Sequence, residues 1–183
     1  MTATEDLALG IARVLGRVSI DDLTRLSGGA SRETWKFTSD GTPMILQRQR
    51  SGDARDMSVE AAALRAAAAA GVPVPALIAN GREELGSSYM ILSHVEGETI
   101  ARKILRDDEF AGARSSLVAQ CARALAAIHS IDPADVPGLP TADQVAQYRQ
   151  SLDDLNAQLD QAHPAFELAF RWLEHNQIGR AHV

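Results

Sequence analysis

The chain has 183 residues, 45% of them apolar and 23% charged, a balance found in folded globular proteins and not in disordered ones. A net charge of -6 and a pI near 5.3 argue against coating a nucleic acid, because phosphate-backbone binding wants a basic face. A single cysteine, Cys121, excludes an intrachain disulfide framework and a cysteine zinc cluster.

Threonine 4 to glycine 16 reads as a first helix, with Thr4 as a candidate cap and Leu7, Ile11, Val14 and Leu15 as its apolar stripe. Strand patterns follow over 23–26, 34–38 and 44–49. Asp40-Gly41 between the last two is a tight-turn signal, so 23–49 is expected to be an antiparallel meander. The Ala-rich run "MSVEAAALRAAAAAG" predicts a helix, since Ala is the best helix former and Gly71 supplies a left-handed stop. "VPVP" forces extended chain, and 76–80 and 88–94 read as two more strands.

Beyond Gly97 the pattern is helical. Residues 116–129 carry Leu117, Cys121, Leu125 and Ile128 on one face, which predicts a buried structural thiol. "DPADVPGLP" reads as an extended loop. Residues 144–161 show clean helical spacing, and His163-Pro164 opens a further helix whose Phe166, Phe170 and Trp172 are expected in a core. The order predicts a two-lobed α+β architecture: residues 1–95 as an antiparallel-sheet lobe with one inserted helix, and 96–176 as helices. With aromatics at only 4%, aliphatic residues must supply most of the core.

The stretch "LSGGASRETW" carries the first chemical signal. Gly28 and Gly29 let the backbone turn tightly and approach a ligand, and successive N–H groups there, with the Ser31 hydroxyl, suit phosphate oxygens. Alone, this is also an ordinary hairpin. Its context is a third strand ending in "MILQRQR", a next helix bearing Glu60, and a fifth strand that runs into a bend at Glu96-Gly97. Protein-kinase-like folds use this order: a glycine hairpin over phosphates, a strand-three cation, then a helix glutamate that holds the cation.

On these residues the sequence resembles the aminoglycoside-phosphotransferase-like, choline-kinase-related small-molecule kinases. The resemblance runs through "LSGGASRETW", "MILQRQR", "VEAAALRAAAAAGVPVPALI", "YMILSHVEGETI", "CARALAAIHSID" and "HPAFELAFRWLEHN". It implies a protein-kinase-like fold and a phosphotransferase that uses ATP and Mg²⁺ on a small-molecule hydroxyl acceptor. It implies that Gly28, Gly29, Ala30 and Ser31 cover the phosphates, that Glu60 orients the strand-three cation, and that Ser93, His94 and Val95 offer backbone to adenine. The simplest register puts that cation position on Gln47, beside Arg48. Arg48 is the expected residue, because a guanidinium neutralises phosphate and an amide does not. Arg32 is open to phosphate contact or solvation, and His129 is expected to be a hydrogen-bonded packing residue.

The family's HGDxxxxN-like catalytic loop and later metal-binding Asp segment do not occur, so no catalytic or metal residue is assigned and the chain is expected to be an inactive fragment. Residues 177–183 resemble the translation of a sequencing adapter and are set aside. Two other readings stand beside the enzyme: a non-catalytic nucleotide-binding regulatory or partner-binding module, and an unrelated α+β domain with a chance hairpin. No signal-peptide pattern and no apolar run near the roughly 20 residues that span a bilayer occur. A cytoplasmic protein without membrane or nucleic-acid partners is expected.

Overall fold

The computed structural model describes residues 2–26, 32–50, 57–140 and 143–176. The chain forms two units, Met1–Pro137 and Gly138–Val183. The expected lobe boundary between residues 95 and 96 falls inside the first.

The first unit opens with helix α1, Ala3–Leu15. Its cap is Thr2, not Thr4: the Thr2 hydroxyl accepts from the Glu5 amide at 3.3 Å, and the Glu5 carboxylate accepts from the Thr2 amide at 2.7 Å. The Thr-x-x-Glu spacing makes a reciprocal capping box, which moves the helix start two residues earlier. Gly16, with φ of 64°, ends the helix in the left-handed conformation that a residue with a Cβ resists.

Strands β1 (Asp21–Leu26), β2 (Arg32–Ser39), β3 (Thr42–Gln49), β4 (Leu77–Gly81) and β5 (Tyr89–Ser93) form one sheet in the order β1-β2-β3-β5-β4. All its pairings are antiparallel. The β2–β3 hairpin closes through Asp40 and Gly41, both at positive φ (49° and 73°), as a two-residue turn between twisted strands requires.

Side chains alternate across a strand, and directly paired residues share a face. The first face buries Phe37, Leu46, Tyr89 and Ile91 against Leu7 and Ile11 of α1, with Leu85 from the β4–β5 loop. The second face carries Ile45, Met90, Leu92 and Leu77. Helix α2, Ser58–Ala69, packs there through Ala61 and Leu64, with Met57 just before it. The sheet is thus a middle layer, with α1 on one side and α2 on the other.

The segment after β5 holds a short helix that the periodicity did not reveal, α3, Ala101–Arg106. Glu98 receives the Thr99 and Ile100 amides and the Lys103 ammonium at its start. Arg114 donates to the Ile104 and Asp107 carbonyls at its end, so side chains hold the chain on either side of a six-residue helix. Helix α4, Ala111–His129, follows, and its expected buried stripe is open: Leu117, Leu125 and Ile128 are exposed, and so are Cys121 and His129. The periodicity formed the helix, but the described residues leave that face largely uncovered. The "DPADVPGLP" loop contains a single 3₁₀ turn at Pro133–Asp135, capped by Asp132.

The second unit is the pair α5 (Gln144–Leu159) and α6 (Pro164–His175). Asp143 caps α5, and Arg149 on α5 joins α6 through Glu167 (2.9 Å) and Glu174 (3.0 Å). Phe166 and Trp172, expected in a core, are exposed, because Leu152 is the only buried residue of the two helices.

Candidate functional site

The described residues cover only half of the second face of the sheet. Helix α2 lies over β4 and β5, while Thr24, Leu26 and Lys36 on the β1–β2 side are exposed. The pairings put Leu26 with Thr34, Thr34 with Gln47, Lys36 with Ile45 and Arg32 with Gln49, so these side chains share this face. Residues 27–31, which join β1 to β2 and include Gly28, Gly29, Ala30 and Ser31, lie outside the described residues.

Strand β3 decides where its cation points. Gln47 lies on the α2 side with Ile45. Arg48 lies on the other face with Leu46. There its guanidinium donates to Glu33 Oε2 at 2.6 Å and 3.2 Å and to the Leu85 carbonyl at 3.2 Å. The expectation that Glu60 orients Arg48 therefore fails, because a strand cannot present neighbouring residues to one face. Arg25 completes the first-face group, 3.2 Å from Glu33 Oε1 with its guanidinium over the Trp35 ring. Burial opposes ionisation of Glu33, but hydrogen bonding and charge from Arg48, helped by Arg25, hold its carboxyl below the usual carboxylate range.

Glu60, on the first turn of α2, pairs with Arg32 instead. Arg32 opens β2, immediately after the glycine segment, and its side chain is about a quarter exposed (27%). Only Nη2 of its guanidinium engages Glu60; the described residues offer the other nitrogens no partner.

At the exit of β5 the three expected residues behave differently. The Ser93 amide donates to the Ala76 carbonyl at 2.9 Å, and Ser93 Oγ accepts from the Ala76 amide at 2.9 Å. The His94 amide donates to the Pro43 carbonyl at 3.2 Å. Val95 is 67% exposed, and its amide has no partner among the described residues. Two of the three amides are thus already engaged, and Val95 is the one left to donate to a ligand.

Sequence reasoning named Glu60 but gave it the wrong partner. The run Met44-Ile45-Leu46 is apolar on both faces, so alternation could not say whether Gln47 or Arg48 turns towards α2. The usable signal was the register: Asp40-Gly41 fixes the hairpin, and counting back from it sets Arg32 and Gln47 on the same face.

No group of His, Cys, Asp and Glu among the described residues is arranged to hold a metal ion. The described residues do not fit Mg²⁺. No helix among them is long and apolar enough to cross a membrane.

A five-stranded antiparallel sheet flanked by α1 and α2, with β5 running out into helices, is a protein-kinase-like phosphotransferase fold. A protein from Ralstonia eutropha JMP134, whose name assigns it to the aminoglycoside phosphotransferases, superposes with a TM-score of 0.63 at 19% identity. The match covers 94% of this chain and 53% of that one. A thermostable mutant of aminoglycoside phosphotransferase APH(4)-Ia, in ternary complex with AMP-PNP and hygromycin B, matches with a TM-score of 0.57 at 19% identity over 91% of this chain and 60% of its own. The chain belongs to the phosphotransferase enzyme family, whose model matches residues 22–178. It spans 53% and 60% of the length of these two solved structures. No curated protein sequence matches it.

Proposed function

We propose that the chain is the nucleotide-covering part of an ATP-dependent phosphotransferase that acts on a hydroxyl group of a small molecule. The observation that carries this reading is the part of the second face that the described residues leave open, bordered by Leu26 and Arg32 at the ends of β1 and β2, by the Glu60 helix and by the Val95 amide, which has no partner among them. Leu26 and Ile45 offer an apolar roof to the adenine ring, and Val95 donates from its edge. In this reading Gly28, Gly29, Ala30 and Ser31 take the phosphate-covering role, since glycine brings no Cβ that would keep a backbone N–H from an anion. The family resemblance and the AMP-PNP bound to the APH(4)-Ia relative support this assignment.

In such a reaction ATP supplies the phosphoryl group, and the protein contributes position and charge. This chain's residues supply the nucleotide half: a roof, a hinge donor and a phosphate cover. None of its 183 residues forms an HGDxxxxN-like motif, so the chain binds nucleotide without transferring phosphate. In this reading the described residues supply neither the catalytic carboxylate nor a Mg²⁺ ligand for the acceptor hydroxyl, and a cytoplasmic location fits the use of ATP.

Titration with a fluorescent ATP analogue tests this reading. Saturable binding, reversed by unlabelled ATP, is expected. Absence of displacement at millimolar ATP would overturn it, and transfer of phosphate to a hydroxyl compound by the purified chain would overturn its inactivity. Gln47 at the cation position favours a second reading, a regulatory nucleotide-binding module; a full-length gene product lacking the HGDxxxxN-like loop would support that instead.

A further inference from the structure

We infer that the phosphate-binding cation of this protein has moved from the third strand to the second: Arg32, anchored by Glu60, is the residue that meets the nucleotide's phosphates. The inference rests on the nucleotide-site reading above and deepens it.

Three observations carry it. First, the third strand has no cation on the side that faces α2. Gln47 occupies that side, and Arg48 is turned through the sheet to Glu33 and the Leu85 carbonyl. An amide cannot neutralise phosphate charge, so a cation must come from elsewhere if a polyphosphate is to sit there. Second, Arg32 lies on that face. It is paired with Gln49 in register, two residues along β2 from Thr34, which is the partner of Gln47. Its place directly after the glycine segment puts it at the end of the sheet where phosphates would lie. Third, Glu60 already holds it.

An acidic partner makes sense for a residue with this task. A long side chain loses rotamer freedom on binding, and an ion pair formed beforehand removes part of that cost. A guanidinium has more donors than a carboxylate needs, so Arg32 keeps Nε and Nη1 for phosphate oxygens while Nη2 stays on Glu60. Lysine, with a point charge, would do this less well. Lys36 also faces this side and is exposed without an ion pair among the described residues, but it pairs with Ile45, nearer the adenine end. Glu60 meets Arg32, not Lys36.

The test compares ligands that differ only in phosphates. Dissociation constants for fluorescent analogues of ATP and of adenosine are measured with the 183-residue chain, with Arg32→Ala, with Arg32→Gln, which keeps a hydrogen bond to Glu60 but no charge, and with the double variant Arg32→Ala/Gln47→Lys. Both single variants are expected to weaken ATP by about tenfold or more and leave adenosine unchanged. The double variant, which returns a cation to the third strand on the face that carries α2, is expected to recover most of the loss. Equal weakening of ATP and adenosine would mark Arg32 as structural and overturn the inference, as would no effect on either ligand. If the wild-type chain binds ATP but Arg32 does not matter, the inference falls and the nucleotide site stands. If the wild-type chain binds neither ligand, both fall.

Discussion

The sheet with α1 and α2, and the helices from residue 101 onward, use apolar residues in opposite ways. In the sheet, Phe37, Leu46 and Ile91 are fully buried, and both faces carry a core. In α4, the stripe Leu117, Leu125 and Ile128 is regular and still open, and in α6 Phe166 and Trp172 are exposed. The same residue types, each in the regular pattern of its element, end in different environments. A periodic stripe specifies a helix, and burial needs a partner surface as well. The contrast predicts where substitutions are felt.

The largest effect is expected in the sheet. Leu46→Ala removes a fully buried side chain and leaves a cavity between β2, β3, β5 and α1, at a cost of about 2–5 kcal/mol in urea unfolding. Arg48→Ala comes next. It removes the main partner of Glu33 and a donor to the Leu85 carbonyl, at about 1–3 kcal/mol. It also changes the acid limb of stability. The folded-state pKa of Glu33 is depressed, so its contribution is present above the usual value near 4.5 and is lost as the pH falls through the folded pKa. Stability measured from pH 7 downward should therefore drop less steeply in Arg48→Ala than in the native chain. A parallel drop would separate Glu33 from that limb.

Smaller effects sharpen the same comparison. Thr2→Ala breaks the capping box of α1 and is expected to cost about 1 kcal/mol, because the helix that seals the first face starts there. Leu125→Ala, on the open face of α4, is expected to change stability by less than about 0.5 kcal/mol. A cost at Leu125 like that at Leu46 would show that the α4 face is covered in solution.

Local chemistry made most of the fold readable. Asp40-Gly41 marked the hairpin, the alanine run marked α2 up to its Gly71 stop, and Pro164 marked the start of α6. The capping box at Thr2 was visible as Thr-x-x-Glu, but it competed with Thr4, which stands equally near the apolar stripe. Helix α3 was missed because six residues give barely two turns of periodicity, and its ends are held by Glu98 and Arg114, whose roles depend on contacts. At the site, Glu60 and the strand whose exit carries Val95 were legible from motif order. Which cation Glu60 holds was not, since it depends on the parity of a strand that is apolar on both sides. Arg32 became meaningful only once register and ion pairing were known.

The central claim is that the uncovered half of the second face, with the Val95 amide at one end, receives the nucleotide. Hydrogen exchange measured with and without AMP-PNP tests it most directly. The account predicts slowed exchange in β2, in β3 and at Val95, with α4, α5 and α6 unchanged. Slowing confined to those three helices, with β2, β3 and Val95 unaffected, would contradict it.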